Sequence, residues 1–268
     1  MNLERTRKIV AIGGGLNGRI TKDRIREPYQ TGVIDREIVK LTGKEKPNFL
    51  FIAHSQAKIE VQESYFRTMY NVYNLKYGCE CKILRSNELI NKEKVMKLIE
   101  WSDIIYEGGG DTLSMIKLWK ETGFDKVLKY AWEDGKVMCG VSAGANCWFD
   151  ECSSDSLKIL YGDDQPLIAV KCLGLHEGFF VPHCNEKGRT ESAKELLKNK
   201  SSVGLLLSNG AALEIIDDKY RIIISDSDSL ELKPYALKIY WSNGNYIEQE
   251  IEITEELRKL EELYKMKK

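Results

Sequence analysis

Histidine is scarce in this chain: there are three, His54, His176 and His183, among 268 residues. The seven cysteines are an odd number and contain no C-x-x-C pair. Cys79 and Cys81 lie two apart, a spacing that needs further ligands to make a zinc centre, so no metal is expected. Cysteines inside apolar runs behave as small hydrophobes, and reduced thiols suit a cytosolic compartment. Charge of one sign is also lacking. Lys and Arg number 40 against 41 for Asp and Glu, a formal net charge of −1. That balance gives no footprint for nucleic acid or an anionic membrane, so neither is expected as a partner. No run approaches the ~18 apolar residues of a membrane span, and Ile9-Val10-Ala11-Ile12 is too short for a signal-peptide core. A cytoplasmic protein is the expectation, as monomer or homodimer. Repeats, low-complexity tracts and flexible linkers are missing too, so residues 1–268 read as one domain.

What is present is enough apolar sequence for a large core: 43% hydrophobic against 30% charged residues. Short β-branched runs alternate with helix-period segments, the pattern of βαβ units around a mostly parallel sheet with helices on both faces. Strands are predicted at 8–12, 48–53, 80–84, 103–106 and 136–141. Helices are predicted at about 33–43, 58–77, 93–100 and 112–134, the last broken at Gly123. The run 49–53 is apolar throughout, as in a strand covered on both sides. Beyond 142 the pattern changes to short strands near 178–181, 203–207, 211–216 and 220–224, with a polar helix near 190–200. Asn243-Gly244 predicts a hairpin between 236–241 and 246–251. From about 255 the tail reads as a charged helix. Residues 217–268 are expected to form an edge extension of the one domain.

Gly140-Val141-Ser142-Ala143-Gly144 matches the G-x-S-x-G nucleophile elbow, and its context matches as well: an apolar strand enters and a small-residue segment leaves. Flanking glycines let other backbone approach the tight turn that projects the serine. The amide of Ala143, opening a helix, can then face an oxyanion. A serine hydroxyl needs a base. His183 follows a strand-like run and so lies at a strand C-terminus, where ligands of open α/β sheets bind. His176 precedes its strand, and His54 is the reserve. For the acceptor that orients the base, Asp155 is the first choice, with Asn209, Glu214, Asp150 and Glu151 as rivals that spacing does not separate. Gly108-Gly109-Gly110-Asp111-Thr112 is a second strand–glycine–helix turn. Its amides suit an anion, or else it is simply a tight turn with Asp111 or Thr112 as cap. Gly13-Gly14-Gly15-Leu16-Asn17-Gly18 is formally G-x-G-x-x-G. The charged stretch that follows, with Pro28, lacks the apolar stripe of a sheet-packed helix, which argues against a dinucleotide fold.

These pieces together, Ile12-Gly13-Gly14-Gly15, the 108–112 turn, Gly140 to Asn146 and Pro182-His183, resemble the peptidase E family of serine peptidases over residues 8–215. The resemblance implies a type 1 glutamine amidotransferase-like, flavodoxin-like α/β fold. It implies Ser142 as nucleophile, His183 as base and an oxyanion hole at the amides of Gly109 or Gly110 and Ala143. It requires no cofactor. The expected substrate is a short peptide, with an N-terminal aspartate in peptidase E itself and aspartyl–arginine polymers in the related cyanophycinases. Asp155 sits close to where an acidic triad member falls in the family. In several relatives a glutamate precedes the strand beginning at Ala211, where this chain has Asn209. Arg189 is the nearest candidate for holding a substrate aspartate. Alternatives are an esterase with the same dyad and a non-catalytic binding or regulatory protein. Serine at the elbow disfavours a cysteine amidotransferase.

Overall fold

The computed structural model describes residues 6–21 and 23–266. Five segments form parallel strands: β1 (Lys8–Ile12), β2 (Asn48–Ile52), β3 (Glu80–Ile83), β4 (Ile104–Glu107) and β5 (Val137–Val141). Between them run α1 (Gly32–Lys40), α2 (Ile59–Tyr70), α3 (Lys92–Trp101), α4 (Thr112–Thr122) and α5 (Phe124–Glu133). The last two join at Gly123, the break predicted from sequence, while α2 continues as a π-helical segment, Asn71–Lys76. Strand residues alternate between faces. Val10, Phe49, Phe51 and Tyr106 therefore pack under α1 and α2, and Ile9, Leu50, Ile52 and Ile105 meet α3, α4 and α5 on the other side.

After β5 the chain turns through α6 (Ala143–Asn146) and leaves this sheet. It builds β6 (Phe149–Ser154), α7 (Ser156–Tyr161), β7 (Ile168–Lys171), β8 (His176–Val181), α8 (Arg189–Leu197) and β9 (Gly204–Leu207). It then returns as β10 (Ala211–Ile216) and β11 (Lys219–Ile224). The remaining elements are β12 (Ala236–Ser242), β13 (Asn245–Glu250), β14 (Arg258–Lys259) and α9 (Leu260–Tyr264).

The outcome is two mixed sheets, where a single mostly parallel sheet was expected. The first has eight strands in the order β14-β11-β10-β1-β5-β4-β2-β3, and the second six in the order β13-β12-β9-β8-β6-β7. In the first, β10 pairs antiparallel with β1, and β11 antiparallel with β10. In the second, β6, β8 and β9 run parallel while β7, β12 and β13 are antiparallel. The 236–251 hairpin forms at Asn243-Gly244, but it edges the second sheet, pairing through β12 with β9. The charged tail helix is also corrected: residues 251–257 are irregular, and only the five residues of α9 are helical. The apolar face of each sheet decides this arrangement. Phe149, Phe180, Leu205 and Tyr240 of the second sheet are buried in the same cluster as Ile9, Leu50 and Met138 of the first. Among the described residues, no helix is long and apolar enough to cross a membrane.

Candidate active site

The chain crosses from the first sheet to the second after β5 and back again between β9 and β10, and the site residues gather at these crossings. Ser142 makes the first crossing with φ 57° and ψ −114°. Its amide donates to the Ile12 carbonyl at 3.1 Å, tying the turn to the end of β1. Gly144 permits the turn: a Cβ there would collide with the Glu107 carbonyl and press on that of Gly108. Ala143 opens α6, and first-turn amides have no acceptor within their own helix. Gly109, at the end of β4, faces the serine so closely that a Cβ on it would sit 3.9 Å from Ser142 Oγ.

His183 follows β8, also with positive φ, 53°. Its amide donates to the Gly13 carbonyl at 2.9 Å. Gly210, between β9 and β10, donates to the Gly14 carbonyl at 2.9 Å. Successive carbonyls at the end of β1 thus hold the serine, the histidine and the turn that carries Asn209. A Cβ on Gly14 would collide with Asn209 Oδ1 and His183 Nδ1. Gly14 thus makes room for the imidazole and its partner, Gly13 makes room for the Leu207–Ser208 backbone, and no helix follows directly. Instead the chain doubles back as a ribbon, Asn17 opposite Tyr29 and Ile20 opposite Arg26.

The orienting acceptor on His183 is an amide. Nδ1 lies 2.6 Å from Asn209 Oδ1 and 3.4 Å from Glu186 Oε1. Both atoms are acceptors, so the proton resides on Nδ1 and the Nε2 lone pair is free. Burial lowers the His183 pKa from its ordinary 6.5, which Glu186, Asn209 and Asp155 oppose and Arg189 reinforces. The ring is therefore neutral near pH 7, as a general base requires.

Asp155, first choice for the orienting acid, instead accepts from Arg189 Nη2 at 2.8 Å. Arg189 is buried and also lies 3.6 Å from Glu186, so its guanidinium is engaged by two carboxylates. Glu214 is buried on β10 against Arg221 at 2.7 Å. Asp150 accepts from the Gly178 amide, and Glu151 pairs with Lys200. Asp111 caps α4, accepting from the Ser114 amide at 3.1 Å. His54, the reserve base, has both nitrogens engaged: Nε2 with the Leu84 carbonyl at 2.8 Å and Nδ1 with Trp119 Nε1 at 2.9 Å. His176 packs edge-on to Trp132.

Sequence reasoning missed three neighbours. Gln56 Nε2 donates to the Gly109 carbonyl at 2.6 Å, and the Tyr65 hydroxyl accepts from the Gly109 amide at 3.4 Å. Both fix the glycine turn from a loop and a helix that carry no motif. Glu186 could have been noticed from its spacing three residues beyond His183, the reach of one turn. A cleft of about 400 Å³ opens beside Gly109, lined also by Asn17, Arg19, Gln56 and Tyr65. Another of about 490 Å³ opens beside Asn209 and Glu186, and Leu16 borders both. Gly110, between Gly109 and the cap Asp111, abuts the 55–56 loop, and a Cβ on it would press on Gln56 Nε2.

A mixed α/β fold carrying a strained serine between strand and helix, with a part-buried, neutral histidine fastened to the next carbonyl of the same strand end, has the layout of a serine hydrolase. The family described as Peptidase family S51 matches residues 24–223. An uncharacterized peptidase of Bacillus subtilis, YgaJ, is 30% identical over 241 residues, covering 84% of this chain and 96% of its own. A crystal structure of a peptidase from an acI-B1 actinobacterium superposes with TM-score 0.69 at 17% identity, covering 96% of this chain and 98% of that one. A putative peptidase E protein from Listeria monocytogenes superposes with TM-score 0.54 at 16% identity, covering 82% and 98%. The chain belongs to peptidase family S51, the peptidase E family, and is a peptidase of serine type.

Proposed function

We propose that the protein is an exopeptidase acting on short peptides, with Ser142 as nucleophile and His183 as general base. The observation that carries this reading is that a serine at φ 57° and a histidine whose Nδ1 is committed to Asn209 are tied by their amides to successive carbonyls, Ile12 and Gly13, at the end of β1. Ser142 Oγ forms a bond to the scissile carbonyl carbon as its proton passes to His183 Nε2. The carbonyl oxygen takes the negative charge, facing the amides of Gly110 and Ala143, since the Gly109 amide is already donated to the Tyr65 hydroxyl. The C–N bond then breaks and the leaving amine takes the proton from His183. Water, deprotonated by the same imidazole, releases the acyl group. Base assistance of this kind contributes ~10²–10⁴ in rate and an oxyanion donor ~10²–10³.

The cleft beside Gly109 is the natural seat for the residue whose carbonyl is attacked. A preference for aspartate there would need a cation free to meet the carboxylate. Arg189 is held by Asp155 and Glu186, and Arg19, in the cleft wall, is held by Glu27 at 2.7 and 2.8 Å. Short peptides with uncharged residues are therefore the first substrates to try, with Asp-X dipeptides as the contrast. Treatment with a fluorophosphonate probe tests the dyad directly. Wild type is expected to be labelled at Ser142, whereas Ser142→Ala gives no adduct and His183→Ala reacts at least 10²-fold more slowly. An unlabelled wild type that is folded by circular dichroism would refute the reading.

A further inference from the structure

We infer that Glu186 is a positioning residue that supplies the negative charge beside His183 which Asn209, a neutral amide, does not. The inference rests on the dyad reading above. During acylation His183 becomes an imidazolium, and an orienting acid stabilises that cation. Asn209 Oδ1 can hold the ring at 2.6 Å and fix its tautomer, but it brings only a dipole. A carboxylate that does reach the ring is that of Glu186, with Oε1 3.4 Å from Nδ1.

Local sequence explains why it is there. His183 has positive φ, and the Glu186 amide donates to the His183 carbonyl at 2.8 Å, closing a turn that folds residue 186 back onto residue 183. The Arg189 amide then donates to the Glu186 carbonyl at 3.2 Å, leading into α8. Arg189 would cancel the charge if it paired with Glu186 alone. Its shorter contact is with Asp155, at 2.8 Å against 3.6 Å. The charged groups facing the imidazole are thus Glu186 from the turn, Arg189 from α8 and Asp155 from the loop after β6. Two carboxylates against one guanidinium leave net negative charge beside the ring. Asp155 engages Arg189 and also adds its own charge toward the base from further away.

Glu186 is half exposed, so its effect is screened and smaller than that of a buried carboxylate. The test is the pH dependence of the rate at which a fluorophosphonate labels Ser142, which needs no known substrate. In that reaction the Oγ–P bond forms, fluoride leaves and the serine proton goes to His183. Removing the charge with Glu186→Gln should move the ascending limb of the profile to lower pH by about half to one unit, since the imidazolium loses support. The plateau rate should fall by a similar factor, about three- to tenfold. Glu186→Asp should keep the wild-type limb, and Asn209→Asp in the Glu186→Gln background should move it back up. A merely structural role for Glu186 would alter the rate without moving the limb. An unmoved limb in Glu186→Gln, or Glu186→Asp behaving as Glu186→Gln, overturns the inference while leaving the dyad standing. Failure of wild type to label would instead remove the dyad reading itself.

Discussion

Positive φ costs a non-glycine residue roughly 1–3 kcal/mol and persists only where the surroundings impose it. Asp217 and Asn243 pay that strain at hairpin turns, where their short polar side chains tolerate it. Ser142 and His183 have no such excuse, and both are fastened to the end of β1. The environment of His183 leads to a prediction about the wild-type protein. Because burial holds the imidazole below its ordinary pKa of 6.5, the base form persists to lower pH than in a free histidine. The ascending limb of the Ser142 labelling rate should therefore lie below pH 6.5; a limb above it would mean that the negative charges outweigh burial. Ser142 and His183 stood out in the sequence as candidates because an elbow and a strand-end histidine are local patterns. The partner of His183 was not. Asp155, Asn209 and Glu214 differ in what they meet across the fold, and spacing along the chain carries no information on that. The structural role of the glycines at 13–15 was hidden for the same reason: Gly14 answers to Asn209 and His183, almost 170 or more residues away in sequence.

At the scale of elements, the loop after β2 shows how a functional-looking residue is spent on structure. His54 donates from Nε2 to the Leu84 carbonyl beyond β3 and accepts at Nδ1 from Trp119 on α4, so it joins three segments only while neutral. Protonation would set two donors against each other at Nδ1. Burial accordingly lowers its pKa from 6.5 to about 4. Between those values the unfolded chain binds a proton that the native protein refuses, so stability falls as pH drops from 6.5 towards 4. The loss can reach about 3 kcal/mol. His54→Gln, which keeps a donor and an acceptor without titrating in that range, should be less stable at pH 7 yet lose less of its melting temperature between pH 6.5 and 4. Thermal unfolding at several pH values checks this, and equal slopes for the two proteins would refute it. His176, also lowered to about 4 by burial, adds its own share to both. The strands of the first sheet were readable because uninterrupted apolar runs such as Phe49–Ile52 signal burial on both faces. β6, reading Phe-Asp-Glu-Cys-Ser-Ser, and the four-residue β7 lacked that signal. β6 owes its strand character to pairing with β7 and β8, and β7 to pairing with β6.

Across the whole molecule, the site lies where the chain passes between sheets: Ser142 on the way out and Asn209 on the way back. The division into two sheets was illegible because a strand's own sequence does not name its neighbour. β10 reads like any buried strand, yet it pairs antiparallel with β1, and β12 crosses over to β9. The link at Asn209 is tightened by the second sheet, since Ser208 exchanges hydrogen bonds with Tyr235 at the root of the hairpin: amide to carbonyl at 3.1 Å and amide to hydroxyl at 2.8 Å. Whether two sheets mean two folding units turns on the core between them. The largest apolar cluster contains Ile9, Leu50 and Met138 from the first sheet together with Phe180, Leu205 and Tyr240 from the second. Each fully buried side chain of that size contributes about 1.5–3 kcal/mol. Separating the sheets would expose many at once, a cost well above the 5–15 kcal/mol that stabilises a typical domain. Residues of both sheets should therefore unfold together. Calorimetry is expected to give one transition whose measured enthalpy equals its van't Hoff value, with labelling of Ser142 lost over the same temperature range. Two transitions, the first abolishing labelling while most secondary structure survives, would show instead that the second sheet melts alone and takes His183 and Asn209 with it.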